Sequence, residues 1–372
     1  MEGSAPSRKL EEKLEELADE YSKTKYNKAT DKHLGLLRAK IAKIKKEIST
    51  KRSKRGFGFS IKKEGDATVA LIGLPNSGKS SILNALTNAE STVSERAFTT
   101  VDVIPGMLLY NGAKIQLLDL PGLMEDAYKG SGGSMKIMSA ARNADLFLFV
   151  ADATNIGPLL DLIEGMKKFG VLINETPPDI IIEKRPSGGI KINSGGRLIP
   201  KEEAIRKILA EFKIFNAEVT FRSDATEDDV IYALTKNRAY VKGAVVLNKI
   251  DLVNDFEAEA ERIEKRVHME VIPISALLMK NIENLKSRLF EMLEFQRIYL
   301  KPKNGEADYE KPVIVKKGST IIDVAKKIHT EMAKNFKYAY VSGRSAKFKN
   351  QKVGPEHVVL DGDTVTISYA KG

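Results

Sequence analysis

Apolar positions near the start of the chain repeat at helical spacing. Leu10, Leu14, Leu17 and Tyr21 recur at alternating four- and three-residue steps, and Leu34, Leu37, Ile41, Ile44 and Ile48 do the same. That spacing draws a narrow apolar seam along each of two helices and predicts a helical hairpin. Residues 26–30 break the pattern, and Thr30 is placed to cap the second helix. From residue 67 the pattern changes to short, nearly unbroken apolar runs at 67–72, 114–118, 146–151, 244–247 and 271–274. Runs of this length, without alternation, predict strands buried on both faces of a parallel sheet, with helical spacing at 81–86 after the first. The strands ending near Ala151 and starting near Ala244 should be neighbours. A βαβ crossover needs only about 30 residues, and the gap is about three times that, so an inserted α/β subdomain is expected at about 170–240. Within it, 179–183 and 189–193 read as strands, and 201–213 and 228–236 as helices. Near the C-terminus, strands are expected at 313–315, 338–341 and 364–367. A helix over 321–334 would be capped by Ser319 or Thr320, and Asp361-Gly362 would turn into the last strand.

Charge divides the 372 residues the same way. Residues 1–64 carry 18 basic and 10 acidic side chains, residues 65–295 carry 27 and 32, and residues 296–372 carry 15 and 8. Two basic modules therefore flank a mildly acidic centre, which favours a polyanionic partner for the flanks. Within 23–63 the excess sharpens to 15 against 2, and residues 51–58 read as a basic linker. The chain has no Cys, which excludes disulfides and thiolate metal sites and fits a reducing compartment. Its four His residues are scattered without ligand spacing. No apolar run approaches the ~20 residues that span a bilayer, and the N-terminus is charged rather than signal-like. A cytoplasmic protein without a membrane segment is expected.

The chemistry gathers where the predicted strands end. Gly73-Leu74-Pro75-Asn76-Ser77-Gly78-Lys79-Ser80 lies between a strand and a helix that continues through Ser81. Backbone N–H groups of such a turn hold phosphate oxygens at a helix N-terminus. Lys79 would reach the β- and γ-phosphates, and the Ser80 hydroxyl would ligate Mg²⁺. Asp119-Leu120-Pro121-Gly122 follows a second strand. Its carboxylate can hold Mg²⁺ through water, and its glycine N–H can meet the γ-phosphate. Thr99-Thr100 lies between the two, where a hydroxyl can complete the metal's shell. Asn248-Lys249-Ile250-Asp251 and Ser275-Ala276 follow two further strands. A carboxylate such as Asp251 accepts both N–H groups on one edge of guanine, a pattern adenine lacks. Lys249 would lie along the base, and the Ser275-Ala276 turn would offer an N–H to O6. These tetrads, in this order, predict GTP rather than ATP.

Together with Phe98-Thr99-Thr100, residues 112–122, 27–30, 33–37 and 221–226, these motifs resemble the developmentally regulated GTP-binding proteins, Obg-like GTPases related to translation factors. The resemblance covers nearly the whole chain. It implies an α/β fold in four parts: a P-loop GTPase domain at 65–295, its inserted subdomain, a helix-turn-helix hairpin with linker at 1–64, and a ubiquitin-like β-grasp (TGS) domain at 296–372. The family implies ribosome or RNA contact through the flanks, and is often accompanied by a dedicated regulatory protein. It also implies K⁺ held by Asn76 beside the phosphates, acting as an arginine finger does, with Lys79, Thr100 and Gly122 completing the catalytic set. Ras-type GTPases place Gln after the aspartate–glycine motif. Here that residue is Leu123, so hydrolysis is expected to be slow and to need stimulation. The water-orienting group is not assigned, Glu125 and backbone carbonyls being candidates. Gly130, Gly132 and Gly133 suggest a switch segment, with Ser134 where the family spaces another glycine. Two other readings stay open on the residues alone: an RNA-binding protein that keeps GTP as a structural ligand, and an ATP-dependent P-loop enzyme. Oligomeric state is open too.

Overall fold

The computed structural model describes residues 5–25, 27, 30–53, 63–87, 104–120 and 139–370. The chain divides into two compact units. One holds residues 1–60 and 168–240, the other 61–167 and 241–372.

The first unit opens on the expected hairpin, α1 (Ala5–Lys23) and α2 (Asp31–Ser53). Leu34, Leu37, Ile44 and Ile48 are buried, while Ile41 and the α1 seam residues Leu10, Leu14 and Leu17 are only partly covered and Tyr21 is exposed. The Thr30 hydroxyl is tied to the preceding turn. It accepts from Asn27 N at 2.9 Å and donates to Lys25 O at 2.8 Å, while Asn27 Oδ1 accepts from Thr30 N. Lys51, Arg52 and Ser53 extend α2 rather than opening a linker, and the remainder of that expected linker lies outside the described residues.

In the second unit, β1 (Ala67–Gly73) is buried throughout, and α3 (Lys79–Thr87) begins at the P-loop lysine. β2 (Ile104–Tyr110) runs antiparallel to β3 (Ala113–Asp119), and β4 (Leu146–Asp152) leads to α4 (Gly157–Lys168). Burying Val, Leu and Ile side chains here stabilises by roughly 1.5–3 kcal/mol each.

The expected insert belongs to the first unit. β5 (Val171–Ile173) precedes a three-stranded sheet of β6 (Ile180–Lys184), β7 (Ile190–Asn193) and β8 (Ala217–Phe221), with α5 (Glu202–Glu211) and α6 (Glu227–Thr235) against it. A second face of α2 closes this core. Ala39 and Ala42 are buried with Ile205, Ile208, Leu209, Val230 and Ile231. Arg38 pairs with Asp228 at 3.0 Å, Lys43 donates to Glu211 O at 2.6 Å and Lys46 to Leu234 O at 2.7 Å. The hairpin and the insert thus form one body.

β9 (Ala239–Asn248), α7 (Phe256–Val267), β10 (Val271–Pro273) and α8 (Ile282–Met292) complete the nucleotide-type fold. The sheet order is β10-β9-β4-β1-β3-β2, parallel except for β2. β4 and β9 are neighbours, as the apolar runs require.

The C-terminal sheet runs β12-β11-β15-β13-β14, from β11 (Phe295–Leu300), β12 (Asp308–Lys316), β13 (Phe336–Ser342), β14 (Gln351–Val353) and β15 (Thr364–Tyr369). Thr320 and Asp323 form a capping box at α9 (Ile321–Ile328). The expected single helix breaks at His329, whose backbone is extended and whose Nδ1 accepts from Glu331 N at 3.2 Å, starting α10 (Thr330–Lys334). Phe295 and Ile314 join the core of the nucleotide-type fold, while Ile298 and Val315 join that of the β-grasp. Asp145, at the entry to β4, is an electrostatic tie between the two folds. It accepts from Thr68 N at 3.0 Å and Lys316 Nζ at 2.8 Å. Burial raises the Asp145 carboxyl, but Lys316, Thr68 N and Lys63 outweigh that and hold it below the ordinary aspartate value.

Candidate guanine-nucleotide site

Parallel register brings the sequence motifs to one edge. Leu71 lies beside Asp119, Gly73 beside Val150, and Asp152 beside Asn248. All sit at the carboxyl ends of their strands, where open α/β sheets bind ligands.

The loop between β1 and α3 turns through two left-handed residues, Asn76 at φ 64° and Gly78 at φ 93°. Gly78 is required twice. An L-residue strains at that φ, and a Cβ there would fall on Asn248 Nδ2. Ser77 closes the turn, its N and Oγ both donating to Leu74 O at 3.3 and 2.9 Å. Pro75 and Asn76 are exposed at the crest. Lys79 is buried, with Nζ donating to Gly73 O at 3.1 Å and Leu74 O at 2.9 Å. Burial lowers its pKa, and the Asp119 carboxylate opposes that effect only in part.

The Ser80 hydroxyl donates to Asp119 Oδ2 at 2.9 Å. Asp119 is 2% exposed, and its Oδ1 is buried without a hydrogen-bond partner among the described residues. A buried carboxylate oxygen beside a serine hydroxyl is a hard oxygen donor set of the kind Mg²⁺ takes. No cluster of three or more His, Asp or Glu that could hold a metal occurs among the described residues, so the divalent-ion reading rests on this pair. Leu120 follows, buried.

On the other flank, Asn248 is 2% exposed and bridges two loops. Its Nδ2 donates to Ser77 O and its Oδ1 accepts from Ala276 N, each at 3.1 Å. Of the Ser275-Ala276 turn, expected to offer an N–H to a purine O6, the Ala276 N–H is directed to Asn248 here. Lys249, left-handed at φ 65°, sends Nζ to Asn76 O at 2.8 Å and to Asp152 Oδ2 at 2.6 Å. Ile250 N donates to Ile274 O at 3.2 Å, and the exposed Asp251 lies in a short 3-10 turn, Ile250–Leu252. Ser275 is fully buried and accepts from Leu278 N through its hydroxyl.

Sequence reasoning missed Asp152. Burial raises its carboxyl, but Lys249 and Thr154 outweigh burial and hold it below the ordinary aspartate value. The available signal was a second Asp at the end of an apolar strand, followed by Thr154, whose N and Oγ donate to Asp152 Oδ1. A cavity of about 110 Å³ opens beside Asp152, against Pro75, Asn76, Asn155 and Leu159. Phe98, Thr99, Thr100, Pro121, Gly122, Leu123, Glu125, Gly130, Gly132, Gly133 and Ser134 lie outside the described residues. Ser81, at the start of α3, is exposed.

Residues 68–184 match the family described as 50S ribosome-binding GTPase, 187–295 the C-terminal region of MMR_HSR1 domain, and 296–368 the TGS domain. Developmentally-regulated G-protein 3 of Arabidopsis thaliana is 41% identical over 364 residues, covering 96% of this chain and 98% of the relative. Developmentally-regulated GTP-binding protein 1 of Xenopus laevis is 39% identical over 362 residues, covering 95% and 98%. Among solved structures, the Schizosaccharomyces pombe YchF GTPase is 13% identical at a TM-score of 0.48, covering 82% of this chain and 99% of that one. No helix among the described residues is long and apolar enough to cross a membrane. With its P-loop, its guanine-type loops and its C-terminal TGS domain, the chain belongs to the developmentally regulated GTP-binding protein family.

Proposed function

We propose that this chain is a molecular switch that hydrolyses GTP to GDP and phosphate, is stimulated by K⁺, and acts on ribosomes or structured RNA in the cytoplasm. The observation that carries the hydrolytic reading is the Ser80–Asp119 pair at the foot of the glycine turn, with a buried carboxylate oxygen that has no hydrogen-bond partner among the described residues. Ser80 and Asp119 would hold Mg²⁺, whose charge would offset that of the phosphates. Gly78 keeps the backbone open for close approach. Lys79 exchanges its carbonyl partners for phosphate oxygens, and its partial desolvation strengthens that attraction. Asp251 selects the purine, while Asn248 and Lys249 brace the loops on either side of it.

Thr100 and Gly122 keep the roles that their motif positions imply. Asn76, exposed at the crest of the P-loop, is the proposed K⁺ ligand. The cation would neutralise charge developing at the β- and γ-phosphates, as an arginine finger does; Leu123 offers no polar group to orient the attacking water. The polyanion reading is supported by net charges of +8 over residues 1–64 and +7 over 296–372, and by the match of residues 68–184 to a family described as 50S ribosome-binding GTPase. Multiple-turnover phosphate release tests the enzymatic half. Release should be faster in K⁺ than in Na⁺, and Asn76→Ala should flatten the difference. Equal rates in the two salts sink the K⁺ role, and the lack of any turnover leaves GTP as a structural ligand. Ribosome cosedimentation tests the other half and should fall steeply with ionic strength.

A further inference from the structure

The β-grasp sheet has two faces. Ala339, Val341, Val353 and Val365 point into the core beneath Ile321 and Val324 of α9. Alternation therefore puts Tyr338, Tyr340, Lys352, Thr364, Thr366 and Ser368 on the opposite face. The register confirms that they are neighbours, with Tyr338 opposite Ser368, and Tyr340 opposite both Thr366 and Lys352. The β11–β12 end of this face is covered, because Phe295 and Ile314 pack into the nucleotide-type core. At the β13–β14 end Tyr340 and Lys352 are exposed, while Ser368 on β15 is buried.

What the open end presents is specific. Tyr340 is 38% exposed, and its ring meets that of Tyr338 edge-to-face at 5.4 Å. Lys352 Nζ sits 4.3 Å from the Tyr338 ring centroid, so Tyr338 holds an ammonium beside the exposed Tyr340 ring. The Ser368 hydrogen bond, with Lys303 and Lys352 nearby, keeps the Tyr338 phenol below the ordinary tyrosine value. The adjoining loop, residues 343–350, carries Arg344, Lys347 and Lys349 and no acidic residue, and Phe348 stands 65% exposed between two lysines. None of the strand positions on the open face is acidic.

We infer that this face is a stacking platform for unpaired RNA nucleotides, with a base on Tyr340, a second on Phe348, and the flanking phosphates on Lys352 and the basic loop. The inference rests on the RNA reading proposed above and specifies its site and its form of RNA. Aromatic rings, cations and hydroxyls on one open sheet match what a single strand offers: base faces, phosphates and 2′-hydroxyls. A duplex hides its base faces and would leave both rings without a partner. An acidic protein surface would satisfy the cations but not the rings.

Fluorescence anisotropy with the full chain tests this, using a labelled 12-nucleotide single strand and a blunt 12-base-pair duplex of the same sequence. The single strand should bind more tightly. Tyr340→Ala should weaken it by about 5- to 150-fold, since stacking is worth roughly 1–3 kcal/mol per base, while duplex binding stays put. Lys352→Gln should lower the salt slope by about 0.7, the share of one phosphate on a single strand. The chain contains no Trp, so Tyr340→Trp adds a unique reporter, whose emission the single strand should quench and the duplex should not. Full-strength single-strand binding by Tyr340→Ala, or an unquenched Tyr340→Trp variant that still binds, overturns the platform. Absence of salt-dependent RNA binding by the unaltered chain overturns the broader RNA reading instead.

Discussion

Asn248 and Gly78 share one contact, and a double-mutant cycle can read it. Asn248→Ala deletes two buried hydrogen bonds of 3.1 Å, one to Ser77 O and one from Ala276 N. At about 1 kcal/mol net each, the loss is roughly 2 kcal/mol. Both bonds hold loops that flank the nucleotide, so GDP affinity should fall about 30-fold. Gly78→Ala carries two penalties. The left-handed backbone at φ 93° costs an L-residue about 1–2 kcal/mol, and the new methyl displaces Asn248 Nδ2 and breaks the same bridge. In the Asn248→Ala background the second penalty has already been taken. The double variant should therefore bind GDP more tightly than the two single losses added together would allow, by about 1–2 kcal/mol. Isothermal calorimetry of the four proteins with GDP measures this. Strict additivity would refute the shared contact and, with it, the account of why glycine stands at residue 78.

Three further outcomes are expected. Asp251→Asn should weaken GTP and shift preference toward xanthosine triphosphate, read by competition against labelled nucleotide; an unchanged preference removes Asp251 from base selection. Asp145→Asn should lower stability at pH 7 by about 1 kcal/mol, a modest figure because Lys316 is more than half exposed. The Asp145 carboxyl is lowered in the folded state, so its contribution is present above the unfolded aspartate value of about 4 and fades as pH drops through the folded one. Urea melts of the two proteins should converge on acidification, and a gap that widens toward low pH contradicts the assignment. Ala42→Glu would bury a charge against the insert core and should destabilise that unit by about 2–4 kcal/mol. Hydrogen exchange in α5 and α6 should speed up accordingly, and unchanged protection would deny that the hairpin closes that core.

The nucleotide site was largely legible because its parts are local. A buried parallel strand writes itself as an apolar run, and the turn that follows needs glycine or asparagine at left-handed positions. Once Gly73, Asp119, Asn248 and Ser275 were each placed after such a run, parallel pairing brought them to one edge. The second face of α2 left no such trace. Ala39 and Ala42 are too small to stand out in an apolar pattern, yet smallness lets α2 approach α5 and α6 closely. The Arg38–Asp228 pair spans 190 residues, a separation that spacing rules do not reach. β2 was missed although Asn111-Gly112, left-handed at φ 49° and 82°, marks its hairpin with β3, and β11 was missed because it is a mixed run. The helix break at His329 arises from a side chain folding back on its own backbone, which helical periodicity over 321–334 conceals. Asp152 was passed over because its role depends on Lys249, a residue 97 positions away.

Calorimetry of the purified, nucleotide-free chain with GTP and then ATP, in the presence of Mg²⁺, tests the base-selecting site most directly. The account predicts saturable one-to-one binding of GTP and little or none of ATP, with the preference collapsing in Asp251→Asn. Equal affinity for the two triphosphates would contradict it.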